Sequence, residues 1–436
     1  MVNRRQLLGA LSWPAAAAYG GAFLSPARRA HALTVAERLA THPGAAGELA
    51  DDEYFWYDVR QAFSAEAGII NLNSGGVSPS PLPVQDAMKR YLDYSNTSPT
   101  YAMWQILEPQ REQIRERLAM EWDTDAEELA LVRNASEGLQ ICQFGIDLEP
   151  GDEILTTNQD YGRMITTYKQ RERREGVVLK QISVPVPADD DDAIVRLFES
   201  NITPRTRIIH MCHMINLTGQ ILPVAKVTNM ARRRGIPVIV DGAHTLAHFD
   251  FKISDLECDY YATSLHKWLF APHGTGLLYV RRDKIRDLWP LMAAHERNDE
   301  NIRKFEEIGT HPAANYLAIG DALTFHQGIG AKRKEARLVY LRDHWANRLQ
   351  AFSDRVYLNT SQAPGKAAGI ANVGVEGIDT STLNDWLWTE HRIITVAINH
   401  AEFTGLRISP SVFTTLEELD RFCDAIEQAV KQGISA

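Results

Sequence analysis

The segment between residues 129 and 280 alternates strand-like and helix-like patterns, and this alternation most restricts how the chain can fold. Short apolar runs predict strands, and apolar residues repeating every three or four positions predict helices. The predicted strands are 129–132, 153–156, 177–184, 206–211, 237–240, 260–262 and 276–280, and the helices are 136–144, 163–175, 192–200 and 224–234. Strands joined through helices pair in parallel and are covered on both faces. We therefore predict an α/β fold with a mostly parallel sheet.

The segments on either side of this alternation predict further units. Residues 33–70 have a helical pattern, and a longer helical pattern runs from Ala313 to about Phe352. Short strand patterns and a final helix, Leu416 to Gln432, follow. A chain of 436 residues is long enough for two domains. We expect a large domain over residues 71–312 and a smaller α+β domain over residues 313–436.

The first 32 residues have the pattern of an export signal. Arg4 and Arg5 precede an Ala-rich apolar stretch, and residues 30–32 form a small-residue cleavage pattern. The arginine pair resembles a twin-arginine signal, and an ordinary secretory signal or an uncleaved anchor is the alternative. No later segment is long and apolar enough to span a bilayer. We therefore expect a bacterial protein that is periplasmic or exported, without a membrane span after the signal is removed.

Charge and cysteine spacing exclude several classes of protein. The net charge of -10 and the lack of a basic stripe argue against nucleic acid as a partner. The four cysteines are widely spaced and predict neither a disulfide framework nor a zinc motif. His210, Cys212 and His213 fall on one strand-like run, where alternation sends His210 and Cys212 to one face and His213 to the other. We expect no metal site.

Two motifs carry residues that pyridoxal phosphate (PLP) chemistry requires. Asp241 follows one predicted strand and Lys267 follows the next, and parallel strands place such residues at one edge of the sheet. A PLP enzyme needs a lysine amine for the cofactor aldehyde and an acid beside the pyridine nitrogen. The segment from Asn134 to Gly138 precedes a helix and could bind the phosphate, although a simple capped helix start explains it equally well.

The sequence Asp-Gly-Ala-His at residues 241–244, followed by Ser-x-His-Lys-Trp at residues 264–268, resembles class V aminotransferases of PLP fold type I. Within that family the chain looks most like the isopenicillin N epimerase-like branch. The resemblance covers roughly Asn71 to the C-terminus. It implies PLP as the cofactor, an amino acid as the substrate, and a large domain with a smaller C-terminal domain. It also implies a homodimer.

The resemblance also implies roles for individual residues. It makes Lys267 the residue that binds the cofactor aldehyde and Asp241 the partner of the pyridine nitrogen. The other cofactor-binding residues that it implies are His244, Asn216, Ala135, Ser136, Tyr161, Ser264, His266 and, from the neighbouring subunit, Thr310. Lys267, Asp241, His244 and Tyr161 are the expected catalytic residues. The expected substrate-binding residues are Arg407, which would hold the α-carboxylate, and Asn73, Gly75 and Gly76 at the entrance.

The expected reaction begins when Lys267 removes the proton from the substrate α-carbon. An amino acid epimerase is our first expectation, and a lyase, an aminotransferase or an oxidase is the alternative. An epimerase needs a second acid, and Tyr101, Tyr161 and His273 are candidates. No cysteine lies between Cys258 and Cys423, which argues against a cysteine desulfurase that uses a loop cysteine.

A PLP-binding protein without turnover is a more remote reading of the same motifs. The presence of Lys267, Asp241 and Arg407 together argues against it, because binding without catalysis does not require all three.

Overall fold

The computed structural model describes residues 34–434, so the predicted export signal lies outside the described residues. The strands, in chain order, are β1 (Ile70–Asn71), β2 (Leu129–Val132), β3 (Glu153–Thr157), β4 (Val178–Ile182), β5 (Thr206–Cys212), β6 (Val238–Asp241), β7 (Tyr260–Ser264), β8 (Gly276–Val280), β9 (Val356–Leu358), β10 (Ala371–Val375), β11 (Ile393–Ile394), β12 (Val396–Asn399) and β13 (Thr404–Ile408).

The α-helices are residues 34–40, Ala46–Leu49, Glu53–Gln61, Leu82–Thr97, Arg111–Glu121, Ala135–Gly145, Gly162–Glu175, Asp191–Asn201, Val224–Arg232, Arg282–Ile285, Ala313–Leu317, Ile319–Ile329, Ala331–Phe352, Thr380–His391 and Leu416–Gln432. Residues Pro99–Leu107 form a π-helix. The short 3-10 helices are Glu108–Gln110, Ala126–Glu128, Ser254–Leu256, Glu296–Asn298 and Ile302–Glu306.

A seven-stranded sheet with the order β2-β8-β7-β6-β5-β3-β4 forms the larger part of the molecule. Six strands run in one direction, and β8 runs opposite to its neighbours β2 and β7. Val238 and Val240 of β6 pack in one buried cluster with Val227, whereas Ile239 packs in another with Leu139. Successive side chains of a strand point to opposite faces, so helices cover both. The predicted α/β fold is confirmed.

The C-terminal part contains a four-stranded antiparallel sheet with the order β12-β13-β10-β9. Trp345 of helix Ala331–Phe352 and Phe422 of helix Leu416–Gln432 pack in the buried cluster beneath it. The expected mixture of helices and strands is present, with β9 as a strand that we did not predict. The single long helix predicted from residue 313 is three helices, interrupted at Ala318 and at Gly330, where φ is +89°.

Residues 70–73 pair with the C-terminal part of the chain. Ile70 of β1 lies opposite Ile393 of β11 in a parallel pair, and Asn73 forms a bridge with Ser409. We predicted that the large domain begins at residue 71, whereas residues 71 and 73 pair with strands of the C-terminal part. Local sequence patterns do not reveal pairing between residues more than 300 positions apart. This crossing brings residues 73–76 close to the strand β13.

No helix among residues 34–434 has the length and apolar composition needed to cross a membrane.

Candidate active site

A cavity of about 340 Å³ lies at the edge of the large sheet where β6 and β7 end and β8 begins. The predicted residues that line it are Gly75, Gly76, Ala135, Ser136, Tyr161, Asn216, Asp241, His244, Ser264, His266, Lys267 and Arg407. Since β8 is antiparallel to its neighbours, its first residue meets the last residues of β2 and β7. The sheet therefore gathers side chains from distant parts of the sequence.

Lys267 and His244 form a pair inside this cavity. The Nζ atom of Lys267 lies 3.1 Å from Nε2 of His244. Burial, which the charge of Asp241 opposes and the charge of Arg407 assists, lowers the pKa of Lys267 to about 8. Burial, together with the charge of Lys267, holds the pKa of His244 well below its usual value. The imidazole is therefore neutral, and its Nε2 can accept a hydrogen bond from the lysine amine.

Asp241 provides a buried carboxylate at the end of β6. Its Oδ1 accepts a hydrogen bond of 2.9 Å from the backbone N–H of Ala243. Burial raises the pKa of Asp241, while the Ala243 N–H and the charge of Lys267 act in the opposite direction. A buried carboxylate of this kind favours a partner that carries a proton, such as a protonated ring nitrogen.

The start of helix Ala135–Gly145 faces the cavity. Asn134 caps this helix by accepting a 2.9 Å hydrogen bond from Glu137, and the N–H of Ala135 donates to Ser264 Oγ at 3.0 Å. A Cβ atom on Gly276 would lie only 2.6 Å from Asn134 Cα, so only glycine lets β8 approach the turn this closely. Backbone N–H groups at a helix start favour an anion.

Arg407 of β13 is a buried cation whose contacts are neutral. It donates from Nη2 to Asn73 Oδ1 at 2.6 Å and from Nη1 to the Asn216 carbonyl at 3.2 Å. No carboxylate among residues 34–434 lies within ion-pair distance of it. Burial lowers the pKa of Arg407 to about 10. Because an uncompensated buried charge is costly, the side chain fits an anionic ligand.

The entrance segment is tied to the same strand as Arg407. Ser409 accepts hydrogen bonds from the N–H of Gly75, at 3.1 Å through Oγ, and from the N–H of Ser74, at 3.0 Å through its carbonyl. Ser409 was not among the predicted residues. Because Ser409 is only two residues after Arg407, the sequence could have suggested that it lies near the site. Only the tertiary structure shows that it binds the N–H groups of Ser74 and Gly75.

Tyr161 follows β3 and begins helix Gly162–Glu175. The preceding residue, Asp160, accepts hydrogen bonds of 2.7 Å from the backbone N–H groups of Thr157 and Cys212. These bonds hold the turn that follows β3 against the end of β5, and Tyr161 lines the cavity with 40% of its surface exposed.

Four lining residues were not predicted, namely Leu139, Cys212, Met214 and Ala243, whereas Asn134 belongs to the predicted helix start. Cys212 and Met214 are two residues apart, a spacing that places strand side chains on one face and could have predicted both. Among the predicted residues, Asn73 reaches the site through its contact with Arg407. Thr310 lies on an exposed loop and does not line this cavity, so its expected role across a dimer stays a prediction.

The three residues considered for a metal have separate surroundings. His210 Nδ1 lies 3.1 Å from the hydroxyl of Tyr168, whereas the ring of His213 packs against Phe249 and Phe251. No group of three or more His, Cys, Asp or Glu residues within the described part of the chain is arranged to hold a metal ion.

The atoms left without partners test whether the cavity fits PLP. Within residues 34–434, Asn216 Oδ1, His244 Nδ1 and Arg407 Nε are buried and have no hydrogen-bond partner. Buried polar atoms are normally paired, so these three indicate a polar ligand. PLP in this cavity would be held by Ala135, Ser136, Ser264 and His266 at the phosphate, Asp241 at the ring nitrogen, Lys267 at the aldehyde, and Asn216 and His244 at the ring oxygen.

Comparison with known proteins agrees with this fit. The family described as aminotransferase class V matches residues 70–422. The chain is 30% identical over 389 residues to the isopenicillin N epimerase of Streptomyces clavuligerus, covering 85% of this chain and 98% of that protein. It is 25% identical over 390 residues to a probable cysteine desulfurase of Pseudomonas putida, covering 83% and 93%.

Solved structures show the same fold. The complex between the cystine C-S lyase C-DES and its reaction product cysteine persulfide has a TM-score of 0.73 at 23% identity, covering 83% of this chain and 98% of that chain. The apo structure of a cysteine desulfurase from Thermococcus onnurineus has a TM-score of 0.75 at 22% identity, covering 86% and 98%. With its family match over most of the sequence, the chain belongs to the class V aminotransferases and is a PLP-dependent enzyme.

Proposed function

We propose that this enzyme is an amino acid epimerase of the isopenicillin N epimerase type. The observation that carries the proposal is the presence of Lys267, with its lowered pKa, and the unpaired cation of Arg407 in one cavity. The two residues supply a base and an anion-binding group, which are the minimal needs for reaction at an amino acid α-carbon. The epimerase relative, aligned over 98% of its length, supports the same reaction.

Arg407 is the proposed binding group for the substrate α-carboxylate. A guanidinium can hold a carboxylate through two parallel hydrogen bonds, and Arg407 Nε has no partner within the described residues. Asn73 and the Asn216 carbonyl orient the guanidinium by accepting from its Nη atoms. A carboxylate bound here would replace the costly unpaired charge with an ion pair.

Lys267 is the proposed base. PLP, when bound, withdraws electrons from the substrate α-carbon and so makes its proton acidic. The lysine amine takes this proton, and neutral His244 orients the amine by accepting its hydrogen bond. With a pKa of about 8, roughly a tenth of the amine is unprotonated at pH 7, a far larger share than in an ordinary lysine, and a base requires the unprotonated form.

Tyr161 is the proposed second acid. Of the three candidates, Tyr161 lines the cavity. Tyr101 is 59% exposed on the π-helix Pro99–Leu107, and His273 donates from Nε2 to the Ser78 carbonyl at 3.2 Å; neither lines the cavity. A phenol can return a proton to the α-carbon that Lys267 has deprotonated, which an epimerase needs.

The cysteines argue against a desulfurase. All four cysteines are buried, whereas a persulfide-forming cysteine must be accessible and readily ionised. Cys212 alone among them lines the cavity. Burial and the nearby Asp160 and Asp241 raise the pKa of its thiol well above its usual value, so it is a poor nucleophile.

The test is proton NMR of the holoenzyme with L- and D-amino acids in deuterated water. We expect the α-proton signal of one amino acid to disappear while its enantiomer forms, and Lys267→Ala to abolish both changes. Tyr161→Phe should slow formation of the enantiomer by roughly 100-fold or more but retain proton exchange in the starting enantiomer. Conversion to a keto acid or to fragments would instead identify an aminotransferase, an oxidase or a lyase and overturn the epimerase proposal.

We also propose a homodimer in which Thr310 contacts the phosphate bound by the neighbouring subunit. The support is the family resemblance and the exposed position of this loop. Light scattering should give a dimer mass, and Thr310→Ala should weaken PLP binding, whereas Thr389→Ala, at an exposed helix position, should not. A monomer, or equal PLP affinity in both variants, would contradict the proposal.

We further propose that the segment before residue 33 directs export by the twin-arginine route. The support is the Arg4-Arg5 pair ahead of a weakly apolar stretch. Cell fractionation should find the protein outside the cytoplasm, and replacing both arginines with lysine should retain it inside. Export that persists in the double-lysine variant would refute this route.

A further inference from the structure

A second histidine lies behind the pair formed by Lys267 and His244. His248 is fully buried, and its Nδ1 lies 2.7 Å from the His244 carbonyl. Its Nε2 accepts a hydrogen bond of 2.9 Å from the N–H of Gly369. Because Nε2 accepts, Nδ1 must carry the proton and donate it to His244. Burial lowers the pKa of His248 to about 3, so the ring is neutral and its tautomer is fixed.

The same ring supports the residue that follows Lys267. The rings of His248 and Trp268 are stacked, with centroids 3.7 Å apart and an interplanar angle of 19°. The loop that follows Lys267 has a second support, because the buried amine of Lys334, on helix Ala331–Phe352, donates to the Trp268 carbonyl. The same amine lies 3.9 Å from the ring centroid of Phe270. His248 therefore contacts the backbone of His244 and the neighbour of Lys267 at once.

Gly369 connects this histidine to the part of the chain that carries Arg407. A Cβ atom at position 369 would lie 3.1 Å from His248 Nε2, so the close approach suits glycine. Gly369 leads into β10, whose residue Asn372 lies opposite Arg407 on β13. One neutral imidazole thus joins the segments that carry His244, Lys267 and Arg407.

We infer that His248 is a positioning residue that holds His244 and Lys267 in their 3.1 Å contact. The His248 ring does not line the cavity. It acts through its two hydrogen bonds and through its stacking on Trp268. The inference depends on the family's use of PLP at Lys267 and not on whether the overall reaction is an epimerisation.

The test compares His248→Phe with a matched control, His213→Phe. Phenylalanine keeps a flat ring for stacking on Trp268 but removes both hydrogen bonds of His248. His213 is also a buried histidine whose pKa is lowered to about 3, and its side chain packs against Phe249 and Phe251 outside the cavity. The measurement is the rate at which apo-protein captures PLP, followed by absorbance across pH.

We expect the midpoint of this pH profile to fall in His248→Phe and to stay at the wild-type value in His213→Phe. Neutral His244 stabilises the protonated lysine by accepting its hydrogen bond, so losing this contact favours the free amine. His248→Gln, which can still donate and accept, should restore the wild-type midpoint.

An unchanged midpoint in His248→Phe, or an equal change in His213→Phe, would overturn the inference. If His248→Phe does not fold, the test rests on His248→Gln and His248→Leu, which differ in hydrogen bonding at similar size. Equal profiles in those two variants would also overturn it. Failure of the epimerase assay alone would leave this result intact, because PLP capture does not depend on the later reaction.

Discussion

Lys267 should react with PLP at a pH where an ordinary lysine is almost fully protonated. Burial and the charge of Arg407 lower its pKa from 10.5 to about 8. At a pH equal to the lowered value, about half of the amine is unprotonated, compared with roughly 0.3% for an ordinary lysine. The reactive fraction is therefore about 160-fold larger than for an exposed lysine.

The assay is rapid mixing of apo-protein with excess PLP, with the absorbance change followed across pH. The rate should rise with pH and reach half its maximum at about pH 8, the pKa of Lys267. Nα-acetyl-lysine, mixed under the same conditions, gives the profile of an ordinary amine. A protein midpoint equal to that of Nα-acetyl-lysine would refute the reasoning, because burial would then have no effect on Lys267.

Arg407 provides the internal control for this prediction. Its positive charge lowers the pKa of Lys267, so Arg407→Gln should move the midpoint to higher pH. Arg407→Lys keeps a positive charge and should move the midpoint less. An equal midpoint in both variants would show that the charge of Arg407 does not act on Lys267.

Three further substitutions test the surrounding structure. Gly276→Ala would bring Cβ within 2.6 Å of Asn134 Cα, so PLP affinity measured by equilibrium dialysis should fall by roughly 10- to 100-fold; wild-type affinity would contradict this. Glu306→Gln removes one of the two carboxylates paired with buried Arg115, at 2.5 Å, and leaves Glu112 at 3.0 Å, so urea unfolding should show a loss of about 1.5–3 kcal/mol; a loss below about 0.5 kcal/mol would contradict a stabilising role for this ion pair. Burial raises the pKa of Asp241, so ionised Asp241 costs stability above its unfolded pKa. Apo Asp241→Asn should therefore be more stable than wild type at neutral pH but not in acid, while binding PLP more weakly; a gain that persists in acid would refute this.

Local patterns were sufficient to predict most elements. The final helix, Leu416–Gln432, has the predicted bounds because its start is marked by a capping box in which Thr415 and Glu418 exchange hydrogen bonds. Strands such as β2 and β6 were predictable because both of their faces are buried and nearly all of their residues are apolar. These signals depend on a few neighbouring residues and not on the rest of the chain.

Pairing between distant segments was not predictable in the same way. The antiparallel strand β8 lies between β2 and β7, so Gly276 meets Asn134 although 142 residues separate them. The hydrogen bond from Arg407 to Asn73 spans 334 residues. A sequence without aligned relatives carries no record of such contacts, because a strand's apolar pattern is satisfied by any apolar neighbour.

The sequence by itself determined which chemical groups the site contains, since Lys267 and Asp241 follow consecutive strands whose ends meet at one edge of the sheet. Only the tertiary structure decided how reactive those groups are. Packing lowers the pKa of Lys267 and leaves the buried cation of Arg407 with neutral partners only. Both effects arise from the removal of water, which depends on every segment packed around the cavity, and no short stretch of sequence specifies that environment.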